Sequence, residues 1–150
     1  MSKDWNKRTK LVHEGIRRSQ YGELAEALFL TQGFIYPSAE AAEARFVETG
    51  PDEFIYARYG NPTTRMFEDR MAAIEGTEDA FACASGMAAI NGALTSVLKA
   101  GDHVVAARQM FGSCLHVLKV LSGFGVEVTL IDGANLENWR AAVRPNTKVC

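Results

Sequence analysis

An α/β fold is expected, with an N-terminal arm followed by the first part of a mostly parallel sheet flanked by helices. Three observations predict it. From Glu78 onward, short apolar runs alternate with segments of helical period in the order β-α-β-α-β-α-β, the pattern of parallel strands joined by right-handed crossovers. The apolar run Ala80-Phe81-Ala82-Cys83 meets Ser85-Gly86, and Met87, Ile90, Leu94 and Val97 then follow at helical spacing. Before about residue 50 the periodicity is weak, so that stretch cannot build a core of its own.

Each element has its own signals. Lys3 to Arg18 is rich in charge, and Ala27-Leu28-Phe29-Leu30 is apolar but soon reaches Gln32-Gly33. Ser38 is placed to cap a short Ala/Glu helix through Phe46, and residues 48–52 read as a loop. Residues 1–52 are therefore expected to be an arm. Leu28, Phe29, Leu30, Phe34, Ile35 and Tyr36 are too apolar for simple disorder and suggest packing on a neighbouring subunit. From residue 53 the main domain begins. Asn61 and Pro62 open a helix whose expected inner face is Phe67, Met71 and Ile74, and Gly76 closes it.

Four strands should follow. Ala80–Cys83 leads to a helix over Gly86–Leu98, and His103–Ala107 is the next strand. Arg108–Gly112 is a loop before a helix with Cys114, Leu118 and Leu121 on one face, broken at Gly123-Phe124-Gly125. Val126–Ile131 is a strand, and Leu136, Trp139 and Val143 mark the inner face of a last helix. Lys148-Val149-Cys150 reads as a strand just beginning, although a frayed tail would look similar. The 150 residues are accordingly expected to be the front part of a longer protein truncated within the domain 53–150.

Composition narrows the functional classes. A formal net charge of -2 gives no reason to expect nucleic acid or an acidic membrane as partner. Three cysteines, Cys83, Cys114 and Cys150, lack CxxC spacing and suit a reducing compartment. His13, His103 and His116 have no metal-ligand spacing and read as satisfied or surface histidines, so no metal is expected. The start is polar, without an apolar leader core, which points to the cytoplasm. Gly123-x-Gly125 is not a dinucleotide motif, because it precedes a strand and Val128 stands where the third glycine belongs.

Ser85-Gly86 is the stretch with chemistry in it. A helix that opens straight after a strand points free backbone N–H groups and a partial positive charge into one small space, which suits a phosphate. The plain alternative is a strand-to-helix turn with no ligand, and a non-catalytic phosphate-binding or interaction module would use the same features.

Taken with Tyr56-Ala57-Arg58, Asn61-Pro62-Thr63, Ser85-Gly86-Met87-Ala88-Ala89-Ile90 and Phe111-Gly112-Ser113, the chain resembles the Cys/Met-metabolism enzymes dependent on pyridoxal 5′-phosphate (PLP). The likeness extends to Leu11-Val12-His13, Glu75-Gly76, Gly101-Asp102-His103 and Arg144-Pro145-Asn146-Thr147-Lys148. It implies the large domain of the aspartate-aminotransferase-like PLP fold. It implies that Gly86 and Met87 hold the PLP phosphate through backbone N–H groups. Tyr56 and Arg58 would reach into an adjacent subunit and complete that site, within a homotetramer built from dimers that share active sites. Phe111 would stack on the pyridine ring, and its alternative is a plain core Phe.

Most branches of the family carry Tyr at the position of Phe111. Phe followed by Gly-Ser is similar to the branch that replaces the succinyl group of O-succinylhomoserine by sulfide to give homocysteine. Cystathionine γ-synthase and the methionine or cystathionine γ-lyases are the alternatives within the family. The resemblance also implies that the Schiff-base lysine lies beyond position 150. No catalytic residue is then expected in this chain, which by itself should be inactive.

Overall fold

The computed structural model describes residues 4–150 and divides into two compact units, one running through Ala82 and the other Cys83–Cys150. No helix among the described residues is long and apolar enough to cross a membrane.

The first unit contains α1 (Lys7–His13), α2 (Ala39–Val47) and α3 (Pro62–Glu75). Helix α3 forms as its sequence suggests. The Asn61 side chain accepts from the Thr63 N–H, Pro62 occupies the first turn, and Gly76 ends the helix at φ 73°. Its buried side is only partly the expected one, since Met71 and Ile74 are half-buried. Met66 and Ala72 are buried while Phe67 is exposed, because α1 and the residues after it lie along the Met66–Arg70 side. Arg70 Nε donates to the Glu14 carbonyl at 3.0 Å. Gly15, at φ +74°, sits so close that a Cβ there would fall 2.6 Å from the Met66 carbonyl oxygen. Helix α1 carries no apolar stripe and buries nothing, which is why periodicity missed it; the Asn6 side chain caps it by accepting from the Thr9 N–H. Helix α2 starts at its expected cap, Ser38.

Polar links hold the arm to α3. Arg17 pairs with Asp69 at 3.0 Å and also with Asp52, and Arg70 pairs with Glu26. The Phe29 N–H donates to Thr63 Oγ1, and Asn61 Nδ2 donates to the Phe29 carbonyl, both at 2.9 Å. The apolar residues of the arm divide: Phe29, Phe34 and Tyr36 are half-buried, whereas Leu28, Leu30 and Ile35 stay outside, Leu30 at 94% and Ile35 at 96% exposure.

The second unit contains α4 (Gly86–Val97), β1 (His103–Ala107), α5 (Gly112–Gly123), β2 (Glu127–Ile131), α6 (Leu136–Ala142) and β3 (Thr147–Val149). The three strands form one parallel sheet in the order β2-β1-β3. Strand β1 is paired to β2 from His103↔Glu127 to Ala107↔Ile131 without a break. Val104, Ala106, Leu118, Leu121 and Val126 make the core, with Leu94, Leu98 and Val128 packed against it.

Three expectations need correction here. Ala80–Cys83 is not a strand, and Phe81 is 84% exposed. A strand exists only through pairing, and no described segment runs beside this one; the Ala82 N–H bonds instead to the Glu68 side chain at 2.8 Å. On α4 the inward stripe is Met87, Ile90, Leu94 and Leu98, whereas Val97 is exposed. The helix ends at Val97, and the cap residue Leu98, four past Leu94, reaches the core. On α6 only Trp139 of the expected trio turns inward, because its indole N–H is drawn to the Gly133 carbonyl at 3.0 Å; Leu136 and Val143 are exposed. The expected face of α5 holds, with Leu118 and Leu121 buried and Cys114 half-buried.

Candidate functional site

The carboxyl ends of parallel strands are where open α/β sheets bind ligands. Helix α4 turns into β1 through only Leu98–Asp102 and packs on the same core, so the two run in opposite directions. Its N-terminus therefore lies at the carboxyl end of β1. Loop Arg108–Phe111 leaves β1 at that same end and leads into α5. Gly86 and Met87 open α4, and Phe111 immediately precedes α5, in the same unit.

The start of α4 is a capped helix N-terminus. Ser85 is extended (φ -158°, ψ 160°), and its hydroxyl accepts from the Ala88 N–H at 3.1 Å. Helix geometry gives the N–H groups of Gly86 and Met87 no partner inside the helix. A Cβ added at Gly86 would meet nothing within 4 Å, so the approach is open. Two backbone donors, a helix end and free space fit the phosphate of PLP. Phe111 is the residue just before α5, makes no side-chain cap and is 72% exposed. Its ring takes no part in the core formed by the described residues.

In the first unit, Tyr56 is tied down by an antiparallel bridge to Gly33, next to a 2.7 Å bond from the Ala57 N–H to the Gln32 carbonyl. The Arg58 guanidinium lies over the Tyr56 ring at 4.7 Å and the Tyr59 ring at 5.4 Å, a cation–π arrangement that aligns it without neutralising it. Arg58 makes no ion pair among the described residues. Arg65 beside it is different, being held by Glu68, Asp69 and Asp79. Both line an open cavity of about 820 Å³ with Phe54, Tyr59 and Phe81. Of the two cations, Arg58 is the one with charge to offer an anion.

His103 is a satisfied core histidine, as expected. It is fully buried, with Nδ1 2.8 Å from Thr147 Oγ1 and Nε2 2.8 Å from Thr129 Oγ1. Burial first, and the Arg144 charge second, hold its pKa below the usual histidine value, against an opposing pull from Glu127. Sequence reasoning passed over Gln109 altogether. Its side chain bonds to residues 23 and 24 positions away, and no local spacing announces such a contact.

A family model described as Cys/Met metabolism PLP-dependent enzyme matches residues 8–150. The chain belongs to this family. PLP is accordingly the cofactor, and the residues at the start of α4 have the donors to hold its phosphate. The O-succinylhomoserine sulfhydrylase of Mycobacterium tuberculosis (strain ATCC 25618 / H37Rv) is 46% identical over 138 residues, covering 91% of this chain and 34% of the relative. The L-methionine gamma-lyase of Fusobacterium nucleatum subsp. nucleatum is 43% identical over 144 residues, covering 94% and 36%. Among solved structures, a Campylobacter jejuni protein assigned as an O-acetylhomoserine (thiol)-lyase superposes with a TM-score of 0.88 at 26% identity, covering 97% of this chain and 36% of its own. That structure carries N′-pyridoxyl-lysine-5′-monophosphate. The chain spans about a third of the length of these relatives.

Proposed function

We propose that the whole protein exchanges the succinyl group of O-succinylhomoserine for sulfide, giving homocysteine for methionine synthesis. One observation carries this reading: the exposed ring before α5 is Phe111, followed by Gly112-Ser113, and not a tyrosine. A phenyl ring can stack on a pyridine in an offset contact but has no hydroxyl to move a proton. The kinship with a sulfhydrylase at 46% identity supports the same choice.

Bound PLP supplies the electron sink for proton loss from the carbons beside the substrate amine. This chain supplies anchoring and orientation. The N–H groups of Gly86 and Met87 donate to the phosphate, each contributing ~1.5–3 kcal/mol to a charged acceptor. The end of α4 adds about 1 kcal/mol. Tyr56 and Arg58 of a neighbouring subunit complete the site, where the planar guanidinium offers paired donors to phosphate oxygens. Residues 1–52 pack on that neighbour, within a homotetramer built from dimers. After ordering costs, the donors in residues 1–150 alone leave about millimolar PLP binding and no turnover. Cys83, Cys114 and Cys150 are all free thiols, which suits the cytoplasm.

The test is product analysis with the full-length protein. O-Succinylhomoserine and sulfide should give homocysteine and succinate. A γ-lyase is the second reading, favoured by the 43% identity to an L-methionine gamma-lyase. Release of ammonia and a thiol from methionine, without homocysteine from the ester, would replace the proposal with it. Faster turnover with cysteine than with sulfide would point instead to cystathionine formation.

A further inference from the structure

We propose that Gln109 is a positioning residue for Phe111, a brace that holds the β1–α5 loop at the angle the ring needs. This rests on the reading that Phe111 stacks on PLP.

Phe111 is exposed and has no capping bond of its own, so packing does not aim it. The loop must therefore be aimed by its anchors. Arg108 fixes the strand side: its N–H donates to the Ile131 carbonyl at 2.9 Å and its guanidinium to the Leu130 carbonyl at 3.1 Å. These bonds lie three residues before the ring. Gln109 supplies the next anchor, and its amide uses both ends. Nε2 donates to Asp132 Oδ1 at 2.7 Å, and Oε1 accepts from the Gly133 N–H at 3.2 Å. Only this orientation of the amide matches a carboxylate on one side and an N–H on the other.

The surface it braces against does not yield. A Cβ on Gly133 would fall 2.5 Å from the Ala107 Cβ, so the β2–α6 turn is already at the limit of approach to β1. Asp132 is itself fixed, with Oδ1 also accepting from the Ala134 N–H at 3.2 Å. That bond first, and Gln109 second, keep its carboxyl below the usual range, so it stays an acceptor at neutral pH. Two crossovers are thus clipped together at the carboxyl edge of the sheet, two residues from the ring.

The brace is at the surface, so removing it should loosen the loop and not the unit. The experiment uses the full-length protein as wild type, Gln109→Ala, Gln109→Glu and Phe111→Leu. Backbone hydrogen exchange is measured without PLP, and visible circular dichroism with PLP bound. Gln109→Ala should speed exchange at residues 109–113 and at Gly133 about fivefold, the equivalent of one net hydrogen bond. Core amides of β1 should stay unchanged, and the cofactor's dichroic band should shift or shrink. Gln109→Glu sets two carboxylates face to face. It should match Gln109→Ala at pH 8 and recover toward wild type near pH 5, where a protonated Glu can donate.

Unchanged exchange in Gln109→Ala, or equal loosening throughout β1, overturns the brace. Faster loop exchange with an unaltered dichroic band, while Phe111→Leu does alter it, also overturns the positioning role. If Phe111→Leu leaves the band unaltered, the stacking reading falls, and the exchange data then decide the brace alone.

Discussion

At the scale of single residues, one atom separates a phosphate site from an ordinary turn. The N–H of Gly86 can be deleted with little harm to the helix. Proline is favoured at the first helical position, and Ser85, at φ -158° and ψ 160°, already has the extended backbone that a following proline requires. Gly86→Pro should therefore keep α4 and weaken PLP binding at least tenfold, by loss of a charged hydrogen bond and by crowding. Titration of the full-length apoprotein with PLP measures this; unchanged affinity would remove Gly86 from the site. Gly133 is the opposite case, a residue chosen for space. Gly133→Ala sets a methyl 2.5 Å from the Ala107 Cβ and should cost about 1–3 kcal/mol, read as a lower midpoint in urea.

At the scale of elements, the sheet is clasped by one imidazole. His103 sits in the middle strand and bonds to Thr129 on β2 and Thr147 on β3. Arg144 crowds the same hydroxyls, its N–H donating to Thr147 Oγ1 at 2.7 Å and its guanidinium to Thr129 Oγ1 at 3.1 Å. A neutral ring suits this arrangement, one nitrogen donating and the other accepting. Burial and the Arg144 charge lower the pKa in the folded state, whereas the unfolded chain titrates near 6.5. Below about pH 6.5 the unfolded state binds a proton that the native state resists. Native stability from this group is therefore complete above that pH and declines as pH falls through it. Thermal midpoints of the full-length protein should fall on acidification from pH 7.5 to 5.5. His103→Leu should lower the midpoint at pH 7.5, by removing one hydrogen-bond partner from each of two hydroxyls, and flatten the dependence. In the core alongside, Leu118→Ala should cost about 2–5 kcal/mol.

Whole-molecule features explain what the separate units leave open. The arm is tied to α3 by Arg17, Asp69, Arg70 and Glu26, while Leu28, Leu30 and Ile35 remain exposed. Such a surface suits a second copy of the chain. Leu30→Glu should shift the full-length assembly toward smaller species in sedimentation. The shared site makes a sharper test. Mixing an Arg58→Ala chain with a chain lacking the cofactor-bearing lysine should restore part of the activity, because some sites receive both intact contributions. Well-formed mixed oligomers with no restored activity would end the proposal that Arg58 serves its neighbour.

The residues themselves determined what is local. Ser38, Asn61 and Ser85 announced helix starts, and Gly76 a helix end, because caps act within three or four residues. The motif pieces around Tyr56, Gly86 and Phe111 were likewise enough to expect the family. Tertiary structure alone decided the rest. Which side of α3 is buried depended on α1, a helix with no apolar stripe to reveal it. Whether Ala80–Cys83 is a strand depended on a partner, since backbone pairing lies between segments and not within one. The bracing of the Phe111 loop depended on a glutamine and an aspartate 23 residues apart, brought together only when two parallel strands end at the same edge.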